Sequence, residues 1–254
     1  MQEFRKQMAL LVGLGCLSDL AVASENWEFM VEPYMGATSI GGDAAIGRVG
    51  EVDVDVDFDT ILDNLDAALL VHAEAVHNSG WGIWFDYGLM DLKGDTRTVR
   101  DGRLDVRVKQ AVTELAAIYR IPLDPNGETW DIIFGARHWE NELRVKVAPP
   151  AGPVDQFTLR TEPGWTDAFV GGRYRTPLNE DWSFYVYGDI GAGEADFTGA
   201  ARLGVEYAFN NTWEIDLAYK GLWVDYEEGR QRQAGHFIYD TLTHGPVVGL
   251  KIHF

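Results

Sequence analysis

Apolar and polar residues alternate along most of this chain with a period of two, which is the repeat of a β-strand and not of a helix. In residues 212–226, Trp213, Ile215 and Leu217 share one face, while Glu214 and Asp216 share the other. Because one face is apolar and the other charged, the pattern predicts an antiparallel sheet whose two surfaces meet different environments.

The same alternation predicts ten strands, and their lengths suit a membrane. The strands are expected at about residues 27–38, 65–77, 80–92, 105–121, 128–142, 164–176, 181–193, 197–209, 212–226 and 243–254. Most reach the ~9–11 residues that a tilted strand needs to cross a bilayer. Short turns alternate with longer connections at 39–64, 93–104, 143–163 and 227–242. This predicts an all-β fold, a transmembrane antiparallel up-and-down β-barrel of about ten strands, with eight or twelve as alternatives.

Aromatic residues recur at one end of the predicted strands, where ascending strands open with Trp and descending strands end with Tyr or Phe. The set is Trp27, Trp81, Trp130, Trp182, Trp213, Tyr119, Tyr174, Phe209 and Phe254. Amphipathic rings favour the membrane interface, so we expect a girdle on the periplasmic side, where both termini then lie. The last strand is expected to close on the first, and its terminal Phe254 to be recognised by the barrel-assembly machinery.

The N-terminus has the pattern of a secretory signal peptide over residues 1–23, which leaves residues 24–254 as the barrel. Arg5 and Lys6 precede the apolar run "MALLVGLGCL", and small residues follow at 21–23. Cys16 is the only cysteine, so a mature chain has neither a disulfide nor a thiol nucleophile. The net charge of −19 argues against a nucleic-acid partner, because phosphates require a basic surface.

Several short segments, in this order, give the chain a family resemblance. They are "WEFMVEPYMGA", "ILDNLDAALLVHAEA", "GWGIWFDYGLMDL", "GARHW", "GGRYR", "GDIG" and "GPVVGLKIHF". In these segments the chain resembles a family of proteobacterial outer-membrane β-barrel proteins of unassigned function. The resemblance implies a barrel in the outer membrane, with lipid and lipopolysaccharide as its surroundings. It implies no catalytic residues, and no cofactor is expected.

Charged residues of both signs fall on the inward face of the predicted strands. They are Asp66, His72, Glu74, Asp86, Glu114, Arg120, Asp131, Arg137, Asp167, Arg173, Arg175, Asp189, Arg202, Glu206, Glu214, Asp216, Lys220 and Lys251. A barrel of about eight strands holds little more than its own side chains, so this set predicts an ion-pair network that fills the lumen. An aqueous path lined by both charges, as in a small-solute porin, is the alternative.

Enzyme signatures are weak in this sequence. His72 and Glu74 share a strand face at a spacing that suits a base and its orienting partner, but no serine lies close in sequence as a nucleophile. We therefore expect a structural or narrow-pore protein rather than an enzyme. A membrane-embedded hydrolase that uses His72 or His138, and an adhesin or receptor that acts through its loops, remain alternatives.

One segment, "GEVDVDVDFDTILDNLD", is unusually acidic. In an extended chain, Asp53, Asp55, Asp57 and Asp59 point the same way. Clustered carboxylates attract Ca²⁺, which makes these four a weak candidate for a metal site, and a solvated acidic hairpin extension is the alternative. The following "FDTILDNL" predicts a single helical turn at the barrel rim.

Overall fold

The computed structural model describes residues 26–46, 52–97, 103–148, 157–230, 233 and 236–254. The predicted signal peptide, residues 1–23, lies outside the described residues. The elements in this part of the chain are β1 (Trp27–Gly36), β2 (Ser39–Ile46), β3 (Val52–Val56), α1 (Phe58–Asn64), β4 (Leu65–His77), β5 (Trp81–Arg97), β6 (Arg103–Pro122), β7 (Thr129–Ala148), β8 (Phe157–Thr161), β9 (Gly164–Pro177), β10 (Trp182–Gly193), β11 (Phe197–Ala208), β12 (Trp213–Glu228) and β13 (Phe237–His253).

Ten of these strands form a closed antiparallel barrel, in the order β1-β4-β5-β6-β7-β9-β10-β11-β12-β13. The circle closes because β13 pairs with β1, from Met30 opposite His253 to Gly36 opposite Val247. The Phe254 N–H extends this closure by donating to the Phe29 carbonyl oxygen at 3.0 Å. The predicted ten-stranded barrel is confirmed.

The outer surface of the barrel is apolar. Leu217, Leu203 and Ile190 point outward from three neighbouring strands and are exposed. A closed barrel satisfies its backbone hydrogen bonds internally, which is what a structure surrounded by lipid requires. Among the described residues, no helix combines the length and the apolarity needed to cross a membrane.

The aromatic residues at the strand ends lie on this outer surface, beside the short turns. The five tryptophans that open ascending strands are between 36% and 52% exposed, and Phe209 and Phe254 are exposed as well. Tyr119 packs against Trp81 with ring centroids 4.9 Å apart, and Tyr207 packs against Trp182 at the same distance. These aromatic side chains encircle one end of the barrel, as expected for side chains at a membrane interface.

The turn between β6 and β7 shows how the short connections are held. The Asp124 carboxylate accepts hydrogen bonds from the backbone N–H groups of Asn126 at 3.0 Å and Glu128 at 2.9 Å. These hydrogen bonds lower the pKa of Asp124, because they favour its charged form. Gly127 adopts a φ of +99°, a left-handed conformation that favours glycine.

The strands are longer than the sequence predicts. All four connections predicted as long loops contain strand. The first holds β2 and β3, and β5 and β6 meet in a hairpin that extends to Arg97 opposite Arg103. β7 continues to Ala148 and pairs with the extra strand β8, and β13 begins at Phe237 rather than at residue 243. Hydrogen-bond ladders need no lipid contact, so hydrophobic periodicity underestimates their length.

The interpretation of the acidic segment as one extended face of four carboxylates is wrong. Asp53 and Asp55 lie exposed on β3, but Asp57 is the N-cap of α1 and Asp59 lies in its first turn. The Asp57 carboxylate accepts a hydrogen bond of 2.8 Å from the Thr60 N–H, which satisfies a free donor at the helix start. Within the described residues, no group of three or more His, Cys, Asp or Glu side chains is placed to hold a metal ion.

The barrel wall is continuous near the aromatic girdle but divides further up, between β1 and β4. The two strands pair from Trp27 opposite His77 as far as Pro33 opposite Val71. Beyond that point β1 and β2 pair with β13, whereas β4 pairs with β5. The short hairpin of β2 and β3 leads into α1, which returns the chain to β4.

Deleting Phe254 is expected to reduce assembly into the membrane strongly, because the residue extends the closing strand pair and belongs to the girdle. The amount of heat-modifiable barrel in the membrane fraction measures this effect. Phe209→Ala is the matched control, since it removes an exposed ring at the end of another descending strand but leaves the terminus intact. Equal losses in the two variants would contradict a special role of the C-terminal residue.

Candidate functional site: the barrel interior

The inner face of the barrel carries the charged side chains, because alternate residues of each strand point inward. Most of the inward-facing charged residues of the sequence prediction are buried there. The buried members are His72, Glu74, Asp86, Glu114, Asp131, Arg137, Asp167, Arg173, Asp189, Glu206, Glu214, Asp216 and Lys251. Arg120, Arg175, Arg202 and Lys220 are partly buried, with carboxylates within 4.0 Å.

A first cluster joins strands on opposite sides of the lumen. The Arg173 guanidinium contacts both oxygens of Glu74, at 2.5 and 2.9 Å, and also Asp131 at 2.6 Å. Arg120 donates to Asp131 at 3.0 Å and to Glu74 at 3.3 Å. Two guanidinium groups therefore neutralise two carboxylates, and the bidentate geometry fixes their positions.

A second cluster lies near the end of the last strand. Glu206 receives hydrogen bonds from Lys251 and, at 2.5 Å, from Arg175. Glu214 lies 3.6 Å from Arg175 and 3.8 Å from Lys251. The same two cations thus serve two carboxylates on neighbouring strands.

A third cluster is centred on Arg202. Its guanidinium donates to Glu32 at 2.7 Å and to Asp216. The Tyr185 hydroxyl donates to Asp216 at 2.8 Å. Arg202 also lies over the ring of Tyr185, 5.7 Å from its centroid, so that the ring face adds to the stabilisation of this cation.

A fourth cluster surrounds Arg137, whose side chain is fully buried. Its guanidinium donates to Glu114 at 2.7 Å, to Asp189 at 3.0 Å and to the Thr198 hydroxyl at 2.9 Å. The Tyr187 hydroxyl donates to Asp189 at 2.5 Å. A buried cation with this many partners holds its neighbours in one arrangement, because any other arrangement leaves a charge without a partner.

The remaining predicted interior residues have different surroundings. Asp66 lies at the rim and pairs with the exposed Lys93. Asp167 is fully buried, and one of its oxygens accepts a 2.8 Å hydrogen bond from the Ala195 N–H. Lys220 reaches inward to the Tyr34 hydroxyl at 3.4 Å.

His72 belongs to the network and has no nucleophile beside it in the described part of the chain. Its Nε2 atom lies 2.9 Å from Glu74 and its Nδ1 atom 3.5 Å from Asp86. Trp84 covers the imidazole ring at a centroid distance of 4.2 Å. His138, the other histidine considered for a hydrolase, is bound to the Thr166 hydroxyl at 2.9 Å in an exposed position. Neither arrangement combines a nucleophile, a base and an orienting group.

Aromatic rings fill another part of the interior. Trp139 and Trp165 are almost fully buried and stack with ring centroids 5.4 Å apart. Trp165 also stacks on Tyr226, at 4.0 Å and an interplanar angle of 9°. Phe237 and Tyr239 complete this cluster. Here the lumen is occupied by apolar contact rather than by ion pairs.

Comparison with known proteins identifies the architecture. No protein-family model matches this chain. No curated protein matches it at the significance required. The translocator domain of the autotransporter NalP from Neisseria meningitidis has a similar structure: the TM-score is 0.50, the sequence identity 14%, and the match covers 99% of this chain and 98% of that one. This likeness shows a fold that outer-membrane β-barrels use.

Two further solved structures match with lower scores. Ail, the attachment invasion locus protein of Yersinia pestis, has a TM-score of 0.33 and 10% identity, over 91% of this chain and 100% of that one. The P. putida toluene transporter TodX has a TM-score of 0.32 and 10% identity, over 92% of each chain. These scores are too low to transfer either protein's role.

Several inner residues with specific contacts are absent from the sequence prediction, among them Glu32, Tyr34 and Thr198. Glu32 accepts a hydrogen bond from Arg202, Tyr34 donates to Asp86 at 2.9 Å, and Thr198 accepts from Arg137. The period-two alternation of β1 places Glu32 and Tyr34 on one face, so the sequence contains a pattern from which their inward direction could have been predicted. Thr198 is uncharged, and no sequence signal distinguished it from other inward-facing residues.

Proposed function

We propose that this chain is an integral outer-membrane barrel whose interior is closed by its own side chains, with a structural or narrow-pore role. The observation that carries the proposal is the contact between Arg173 on β9 and Glu74 on β4, which are four strands apart around a circle of ten. A contact of this kind crosses the lumen. Such a barrel conducts ions poorly and excludes solutes the size of a disaccharide.

The other clusters support a closed interior. Arg202 on β11 reaches Glu32 on β1, three strands away, and Arg137 on β7 reaches Asp189 on β10, two strands away. The stacked rings of Trp139 and Trp165 occupy a separate part of the lumen. Long side chains meet readily across a barrel of this size, because diameter grows only linearly with strand number.

The positions of the connections support one orientation in the membrane. The short turns and the aromatic girdle lie at one end, and the extended hairpins at the other. Outer-membrane barrels place their short turns in the periplasm, so we place both termini there. The extended hairpins then face outward among lipopolysaccharide, and the C-terminal strand is the segment presented to the barrel-assembly machinery.

Conductance in planar bilayers tests the closed interior. Wild-type protein is expected to give small or no conductance. Replacing Arg120, Arg137 and Arg173 by alanine removes cations from two clusters, so that the remaining carboxylates repel one another. We expect larger currents with cation selectivity, because rings of acidic side chains favour cations.

The matched control also removes three positive charges, but at positions outside the lumen. Arg107, Arg144 and Arg160 pair with carboxylates on the extended hairpins, and their triple alanine variant should conduct like the wild type. A large, stable wild-type conductance that the interior variant leaves unchanged would contradict the closed lumen and favour a porin.

A further inference from the structure

The division of the barrel wall between β1 and β4 leaves a gap that opens sideways. Pairing stops at Pro33, which has no N–H to donate to the next ladder position. Residues 34–36, which pair with β13, and residues 65–70, which pair with β5, then form the two strand edges of the gap. Helix α1 lies beside this gap, with Ile61 buried and Leu62 exposed.

The gap lies within the part of the wall that faces lipid hydrocarbon. Pro33 follows Trp27 of the girdle by six residues, which corresponds to ~15 Å of height in a tilted strand and reaches the outer half of an apolar band ~25 Å tall. Met35, on one edge, is 69% exposed, and Leu69, on the other, is 49% exposed. The part of the opening next to Pro33 and Leu69 therefore faces acyl chains, whereas Asp66 lies at the rim.

Behind the gap lies an apolar cavity of about 1120 Å³. Its wall includes both strand edges, the apolar face of α1 and, deeper in the barrel, Val112 and Leu222. Pockets for small ligands have volumes of ~300–1,000 Å³ and predominantly apolar walls with a few polar groups. The cavity has the lining of such a site, and its volume includes a groove that extends over the outer surface past Leu217 and Val248.

The polar groups of the cavity lie at its inner end and include a weakly paired cation. Lys220 lies 4.0 Å from its nearest carboxylate, Asp86, whereas every other inward-facing cation of the four clusters has a carboxylate within 3.0 Å. Asp86 and Glu114 also line this end, but Asp86 is bound by Tyr34 and Glu114 by Arg137. Lys220 is the group available to an acidic ligand.

We propose that this cavity binds one long-chain carboxylic acid, which enters sideways from the membrane between β1 and β4. The hydrocarbon chain occupies the space between α1 and the lumen, and the carboxylate contacts the Lys220 ammonium group. An unbranched chain is the ligand shape expected to pass between two strand edges. The site borders the fourth cluster, because Glu114 lines the inner end of the cavity and is bound by Arg137. Lys220 belongs to none of the four clusters, so binding at Lys220 can be tested separately from conductance.

Binding of cis-parinaric acid, a fluorescent long-chain carboxylic acid, tests the proposal. The full chain is refolded into lipid nanodiscs, and energy transfer from its tryptophans to the acid is followed. Wild-type protein is expected to saturate at one acid per barrel. Palmitic acid should displace it about tenfold more effectively than 1-hexadecanol, because only the acid forms a charge-assisted hydrogen bond with Lys220.

Three variants identify the site. Ala68→Phe places a ring in the cavity and is expected to weaken binding at least about tenfold, since the bulk displaces ligand volume. Ala73→Phe, on the same strand where β1 and β4 are paired, is the matched control and should bind like the wild type. Lys220→Met should abolish the preference for the acid over the alcohol.

Ile61→Asp provides a second check if Ala68→Phe fails to fold, which heat-modifiable mobility on gels reveals. The helix belongs to no strand pair, so this variant keeps the barrel while placing a charge beside the cavity. It should weaken binding as well. Unsaturable binding to wild type, equal binding to Ala68→Phe or Ile61→Asp in their folded forms, or equal displacement by acid and alcohol would each overturn the proposal.

Discussion

Replacing Arg137 by methionine is expected to lower the free energy of unfolding by about 3–5 kcal/mol, the usual cost of removing one partner from a buried ion pair. The substitution keeps an unbranched side chain but leaves Glu114 and Asp189 without their shared cation. Thr198 loses a hydrogen bond, and the Phe169 ring loses the guanidinium 4.9 Å from its centroid. Urea unfolding of the barrel from lipid vesicles, followed by tryptophan fluorescence, measures the change.

Arg144→Met is the matched control for this experiment. Arg144 makes an ion pair of the same length, 2.7 Å, with Glu142, but the pair lies on the extended hairpins and is partly exposed to solvent. Exposed pairs contribute about 0–1 kcal/mol, so the control should unfold nearly like the wild type. Equal costs at the two positions would mean that the interior is hydrated and that its ion pairs hold the lumen only weakly.

Arginine in place of Leu217 is expected to cost ~2–4 kcal/mol, the cost of a cation on the lipid face near the middle of a barrel. Leu217 is outward-facing, and its neighbours in the ladder are Val205 and Val248. The same unfolding experiment measures the cost. The charge has no partner on this surface, and the side chain must reach along the barrel to find water.

Ala218→Arg tests the opposite face one residue away. Ala218 lines the same cavity as Asp86 and Glu114, so an arginine at this position is expected to find an acidic partner inside the barrel. We expect a much smaller cost than at Leu217. If the two variants were equally unstable, the assignment of inner and outer faces on β12 would be wrong.

Much of the barrel was determined by local sequence pattern. Alternation along residues 212–226 identified which face of β12 is charged, and the tryptophans that open strands, such as Trp81 and Trp213, identified the end of the barrel that carries exposed aromatic rings. The facing of each residue depends on neighbours one or two positions away in the chain. Every strand has lipid on one side and the packed lumen on the other, so the same alternation recurs along all of them. The strand count follows from the same repetition.

The pairing of charges inside the barrel was decided by tertiary structure. Alternation indicates that Arg173 and Glu74 both point inward, but they are 99 residues apart, and their contact depends on how the closed sheet is staggered. The stacking of Trp139 on Trp165 has the same origin. Sequence separation carries no information about which side chains face each other across a lumen.

The gap in the wall and the conformation of the acidic segment could also be assigned only from the three-dimensional structure. Pro33 marks a place where a strand ladder can stop, but only the pairing of β2 with β13 shows that the chain leaves β4 there. In the sequence, Asp57 is compatible both with an extended strand and with the N-cap of a helix. In the structure it is the N-cap of α1, the helix through which the chain returns to β4. The sequence by itself determined which residues face lipid and which face the lumen, because that pattern is local. Tertiary structure alone decided which of them meet, because closure of the sheet brings together residues far apart in the chain.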